Sequence, residues 1–161
     1  MAKESRQKNL WAATDATQGP QGYHGLRDLL ADKLRRYRGI QDDDDILITT
    51  GSSPGIDPVS RLLVNPGETV ILEEYCYAGA INRFPWIGAN VMGVPLDEHG
   101  IRIDASSDML AGQHPKGKVA KCLCLIPTIQ NPAESILPLQ RRQAIIELAK
   151  RYGIAIFADE C

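Results

Sequence analysis

Four short segments carry the side chains with chemical potential. They are Thr49-Thr50-Gly51-Ser52-Ser53-Pro54-Gly55, Glu73-Glu74-Tyr75-Cys76-Tyr77, Pro127-Thr128-Ile129-Gln130-Asn131-Pro132, and Asp159-Glu160. The first is small and hydroxyl-rich and leads into a helix, so its amides, hydroxyls and helix dipole suit a phosphate. It lacks the Gly-Lys-Ser/Thr of a Walker loop and the Gly-x-Gly-x-x-Gly of a dinucleotide fingerprint. An N-cap by Ser52 or Ser53 accounts for the same residues. In the second segment a tyrosine beside a phosphate site would stack on a planar ring, packing being its plainer role. In the third, two prolines stiffen the loop and make Asn131 a fixed donor and acceptor, while an Asn-Pro turn is the ordinary alternative. In the fourth, an acid directly behind the apolar run Ile154–Ala158 is costly to bury without a partner. A protonated ring nitrogen would be such a partner, and an N-cap is the other role open to it.

The elements that must position these segments follow a repeating theme. Residues 1–21 read as an irregular lead-in with a Gly19-Pro20 break. Leu26, Leu29, Leu30 and Leu34 recur at helical spacing, giving an amphipathic helix that ends near Tyr37 to Gly39. Strands are expected at Ile46–Thr49, Thr69–Leu72, Asn90–Val94, Val119–Ile126 and Ile154–Ala158, and helices at Pro54–Leu63, Tyr77–Trp86 and Leu139–Tyr152. A polar connection with a turn at Asp97–Gly100 precedes Val119. Short apolar strands alternating with helices predict an α/β fold, three-layered, with a mostly parallel sheet covered by helices on both faces. In such sheets ligands bind at the carboxyl ends of the strands, where all four segments fall.

Composition narrows the function classes. The 161 residues carry a net charge of -2, with 43% hydrophobic and 24% charged residues, as in an ordinary globular domain. Nothing directs the chain to nucleic acid: Lys116, Lys118 and Lys121 form a short basic stretch without interleaved aromatics. Asp42 to Asp45 reads as a solvated turn rather than a cation site. No apolar stretch approaches the ~20 residues of a membrane span and Met1 to Asn9 is polar, so the expectation is no membrane and a cytoplasmic location. Cys122 and Cys124 share a strand face as small hydrophobes, Cys76 and Cys161 stand apart, and His24, His99 and His114 form no ligand-spaced motif, so no metal is expected.

Taken in order, Gly22-Tyr23-x-x-Leu26-Arg27, Thr50-Gly51-Ser52-Ser53, Glu73-x-x-x-Tyr77, Gln130-Asn131-Pro132 and Ala158-Asp159-Glu160 resemble the motif series of class I/II aminotransferases. These are pyridoxal 5'-phosphate (PLP) enzymes of fold type I, and the flavour is that of the aromatic, kynurenine and aminoadipate branch. The resemblance spans about Gly22 to Cys161. It implies that residues 22–161 are part of a PLP-binding large domain, without its C-terminal part or the small domain. It also implies roles: Ser52 and Ser53 on the cofactor phosphate with Gly51 allowing close approach, Tyr77 stacked on the ring, Asn131 on the phenolic oxygen, and Asp159 on the pyridinium nitrogen. The sequence departs from the family at Ser53-Pro54, at Ala133-Glu134 after Asn-Pro, and at Thr17, where many members have a tyrosine that reaches the partner's cofactor.

The family's Schiff-base lysine maps to no residue here, since Lys150 lies in the helix before the last strand and Lys116 to Lys121 precede Asn131. The resemblance thus implies a homodimeric enzyme that moves an amino group from an amino acid to a 2-oxo acid, represented by a segment inactive by itself. A PLP-dependent lyase or synthase of the same fold is a second reading. A non-catalytic remnant or PLP-binding module is a third.

Overall fold

The computed structural model describes residues 18–38, 46–113 and 119–160. The readings that rest on residues 1–17, Asp42 to Asp45, His114, Lys116, Lys118 and Cys161 lie outside them. The chain divides into two compact units, residues 1–51 and 52–161.

In the first unit the expected irregular lead-in ends in a small antiparallel ribbon. Strands β1 (Gln18–Gly19) and β2 (Gly22–Tyr23) pair across the Pro20 turn. Helix α1 spans His24–Arg38, as the leucine spacing predicts. Its buried positions, however, are Arg27 and Ala31, one turn apart, while Leu26 and Leu29 are exposed. Arg27 is buried because its Nε donates to the Ile46 carbonyl at 2.9 Å. The segment 46–49 is not the strand its apolar run predicts. Ile48 N–H bonds to the Gln21 carbonyl at 2.9 Å, a single rung rather than a ladder.

The second unit holds a four-stranded parallel sheet in the order β4-β3-β7-β8. The strands are β3 (Thr69–Glu73), β4 (Asn90–Val94), β7 (Cys122–Leu125) and β8 (Ala155–Ala158). Val70, Ile71 and Leu72 stand opposite Cys122, Leu123 and Cys124, and Leu123 and Cys124 stand opposite Ile156 and Phe157. Two-residue alternation splits these side chains between two cores. Val70, Leu72, Cys122 and Cys124 pack with Phe84 of helix α3 (Ala78–Trp86) and Leu63 of helix α2 (Ser52–Leu63). Ile71, Leu123 and Leu125 pack with Leu110 of helix α4 (Ile103–Gln113) and with Ile145, Leu148 and Ala149 of helix α5 (Leu139–Tyr152). The result is the α/β, helix–sheet–helix arrangement that the strand pattern predicts.

Helix α4 is the element the sequence reading misses, because its polar composition reads as a connection. It follows a hairpin of β5 (Leu96–Asp97) and β6 (Gly100–Ile101), with Gly100 at φ 86° where the turn enters β6. Arg141 of α5 clamps that hairpin, donating to both Asp97 carboxylate oxygens at 2.7 Å. Helix α5 stops at Gly153, whose left-handed φ of 64° lets Ile154 N–H reach back to the Ala149 carbonyl at 3.0 Å. That stop turns the chain directly into β8.

Candidate functional site at the carboxyl edge of the sheet

Strands β3, β7 and β8 run parallel, so their carboxyl ends open onto one edge. There Ser52, Tyr77, Ile126, Ile129, Asn131 and Asp159 line one open cavity of about 220 Å³. Four of the six residues named from the sequence thus meet, although 107 positions separate the first from the last. Ser53 lies exposed in the first turn of α2 and is not among the lining residues. Gly51, at φ 112°, directly precedes Ser52, and a Cβ there would meet nothing within 4 Å. Helix α2 begins at Ser52, two residues before the expected start, so both serines are helical first-turn residues rather than loop residues. At a helix N-terminus their amides have no intrahelical acceptor, which keeps the anion-binding reading open to them.

Each remaining side chain is set by its own backbone device. Tyr77 occupies the N-cap of α3, where its carbonyl receives the Ala80 and Ile81 amides at 3.0 and 3.2 Å. Its ring lies against Gly79, and a Cβ at that position would overlap ring carbons. Asp159 is drawn to the edge by its N–H, which donates to the Leu125 carbonyl at 2.9 Å as an extension of the β7–β8 ladder. Asn131 rides on a loop closed on itself. Gln130 N–H bonds to Ser135 O at 3.0 Å, Glu134 N–H to Gln130 O at 2.7 Å, and Leu137 N–H to Pro127 O at 3.0 Å. Glu134 takes a left-handed φ of 57°, the local cost of that tight return.

Arg142 of α5 braces the same loop from below. It donates to the Leu137 and Pro127 carbonyls at 2.8 Å each and lies 3.7 Å from Glu160, whose carboxylate accepts the Thr128 hydroxyl. The Asn131 loop and the Asp159 strand end are therefore joined through three side chains.

A second acid closes a strand at this edge and is buried. Glu73, the last residue of β3, is only 3% exposed. Its Oε2 accepts the Ile126 amide at 2.9 Å and the Gln130 side-chain amide at 3.2 Å. Burial pushes its carboxyl above the usual range, and the two donors pull the other way. The signal in the sequence was the same as for Asp159, an acid closing an apolar strand. Cys76 has its thiol raised to about 11, by burial first and then by the charges of Glu73 and Asp159. Burial also raises Cys122, to about 12, and Cys124, so these thiols are inert packing groups.

Comparison with known proteins places the chain in a family. The sequence model for aminotransferase class I and II matches residues 2–161. Aromatic-amino-acid aminotransferase 1 of Thermococcus litoralis is 33% identical over 139 residues, covering 86% of this chain and 33% of that protein. An archaeal alanine:glyoxylate aminotransferase superposes with a TM-score of 0.84 at 32% identity, over 98% of this chain and 39% of that one. The kynurenine aminotransferase of Pyrococcus horikoshii, solved with PMP and with KYN and KYA as substrate and product, superposes with a TM-score of 0.82 at 30% identity. It covers 94% of this chain and 38% of that one. The chain spans about a third of the length of the curated relatives it matches.

Proposed function

We propose, from the premise that this chain belongs to the aminotransferase class I and II family, that the cavity at its carboxyl edge is a pyridoxal-phosphate site. The family is PLP-dependent. The observation that carries the reading is the meeting of Ser52, Tyr77, Asn131 and Asp159 around one cavity. The donor set fits the group: a hydroxyl at a helix start, an aromatic face, apolar walls from Ile126 and Ile129, an amide and a carboxylate. Gly79 fits too, because the absence of a Cβ leaves the Tyr77 ring its position.

When bound, PLP supplies an electron sink that makes the bonds at an amino acid's alpha carbon labile. Ser52 and Ser53 hold the phosphate at the α2 N-terminus, where backbone amides and helix dipole favour an anion, and Gly51 leaves room beside it. Tyr77 covers one ring face. Asn131 donates to the phenolic oxygen from a loop that its own hydrogen bonds keep still. Asp159 keeps a proton on the ring nitrogen through a carboxylate fixed at the β8 end. In the complete protein this chemistry transfers an amino group from an amino acid to a 2-oxo acid, in a homodimer. Residues 22–161 form part of its large domain. A cytoplasmic setting accords with the free thiols of Cys76, Cys122 and Cys124. Among the described residues no helix is long and apolar enough to cross a membrane.

The test is a PLP titration of the purified chain followed by absorbance and by quenching of tyrosine and tryptophan emission. Saturable binding is expected, weakened at least tenfold by Asp159→Ala and by Tyr77→Ala. Absence of saturable binding, or binding that neither substitution alters, overturns the reading.

A further inference from the structure

Burying Glu73 is expensive, and an apolar residue would close β3 at lower energy. Its place in the fold gives it another use. Its Oε2 gathers the Ile126 amide, at the end of β7, and the Gln130 side chain, at the start of the Asn131 loop. Gln130 is itself 2% exposed, and its side chain bonds across these segments through both its amide nitrogen and its oxygen. Its Nε2 donates both to Glu73 and to the Tyr75 carbonyl, and its Oε1 accepts the Ala133 amide at 2.7 Å. Tyr75 lies two residues before Tyr77, and Ala133 two after Asn131. Two buried side chains, 57 positions apart, thus tie the loop that carries Tyr77 to the loop that carries Asn131.

We propose that Glu73 and Gln130 are positioning residues, which set the separation of Tyr77 and Asn131 across the cavity and so hold the ring-binding part of the site in register. Neither touches the cavity. This rests on the reading of the cavity as a pyridoxal-phosphate site for its binding consequence, but not for the coupling of the two loops. The geometry also separates shape from charge. One oxygen of Glu73 accepts both bonds, so a neutral glutamine, with one carbonyl oxygen, can replace it. Alanine cannot. A side-chain error of about 1 Å at a binding group is enough to lose one to two powers of ten in its function.

The experiment uses the full chain and three variants, Glu73→Ala, Glu73→Gln and Gln130→Asn, the last keeping the amide but falling short of Glu73. Two readouts are taken well below each variant's Tm: the PLP dissociation constant, and amide hydrogen exchange of segments 74–77 and 126–134. Glu73→Ala and Gln130→Asn are expected to weaken PLP about tenfold and to speed exchange in both segments together. That includes the Ala133 amide, which bonds to Gln130 rather than to Glu73. Glu73→Gln should stay within about twofold of the parent in both. A loss in Glu73→Gln equal to that in Glu73→Ala would assign the effect to charge and overturn the proposal. So would exchange that quickens only at Ile126. Should the parent chain bind no PLP, the cofactor reading falls while the exchange data still decide the coupling. Should Glu73→Ala not fold, Gln130→Asn against Glu73→Gln decides it.

Discussion

The carboxyl ends of β3 and β8 each deliver an acid to the same edge, and the fold treats the two acids differently. Glu73 is closed in, its oxygen occupied by two N–H donors and its titration shifted by burial. Asp159 is half-buried, fixed through its backbone, and lines an open cavity. The first arrangement closes the acid into the protein's own hydrogen bonds, and the second leaves a carboxylate at the cavity. A chain that needs both from similar side chains distinguishes them by partners: an acid whose lone pairs are taken by the protein is structural, and one left facing a cavity is available.

The comparison breaks most visibly through Gln130. Gln130→Leu leaves Glu73 one donor short and strands the Ala133 amide and the Tyr75 carbonyl. Urea unfolding should show a loss of about 3 kcal/mol, the cost of leaving buried polar groups unpaired. Asp159→Asn, at the open end, should change stability by less than about 1 kcal/mol while weakening PLP by tenfold or more. Equal stability losses at the two ends would erase the distinction. The next effect is on the wall. Gly79→Ala places a Cβ where the Tyr77 ring lies, so the ring must turn. PLP should weaken severalfold with little change in Tm, read by the same titration.

The sequence made the open end legible and the frame much less so. Tyr77, Asn131 and Asp159 follow strands in order and Ser52 follows a run of strand composition, and strand ends are where α/β sheets bind ligands. The frame depends on pairs such as Glu73–Gln130 and Arg142–Glu160, whose partners are distant in sequence and whose value appears only when the strands are aligned. The strand expected at 46–49 failed for the same reason: Ile46 to Thr49 has strand composition, but pairing rather than propensity decides whether a strand exists. Helix α4 was hidden by Asp104, Ser106, Ser107 and Asp108, which read as a linker. In the structure Ser106 turns its hydroxyl to the Arg102 carbonyl at 2.7 Å and is 1% exposed, so a polar residue serves as core.

Glu73→Gln sharpens the comparison through pH. The folded protein holds the Glu73 proton more tightly than the unfolded chain does, because burial raises its carboxyl above 4.5. Between that value and the folded one, the native state carries a proton that the unfolded state has released. Stability therefore falls as pH rises through that window, and above it the buried charge is a standing penalty. Glutamine removes the penalty and keeps the acceptor. Thermal unfolding should find Glu73→Gln more stable than the parent at pH 7, with the advantage vanishing below about pH 4. A variant less stable than the parent at pH 7 would mean that the charge itself strengthens the two hydrogen bonds by more than burial weakens it.

A third acid shows what a cationic partner does and gives the smallest effect. Asp97, in the β5–β6 hairpin, is held by the two terminal guanidinium nitrogens of Arg141 and by the His99 amide. These lower its carboxyl from 3.8 to about 2, with the Arg141 bonds as the largest cause. The sign is opposite to that of Glu73: the contribution is complete above pH 3.8 and is lost as pH falls through about 2. Fully expressed, such a depression corresponds to about 2.5 kcal/mol. The Asp97 side chain is 38% exposed, and solvent screening reduces the expectation to about 1 kcal/mol. Asp97→Asn should therefore be less stable than the parent by about 1 kcal/mol at pH 7 and equal to it near pH 2, with PLP binding unchanged throughout the range where both fold. A gap that widened toward acid would place Asp97 with Glu73, as an acid better off protonated, and would remove the distinction between clamping a hairpin by charge and framing a cavity by neutral donors.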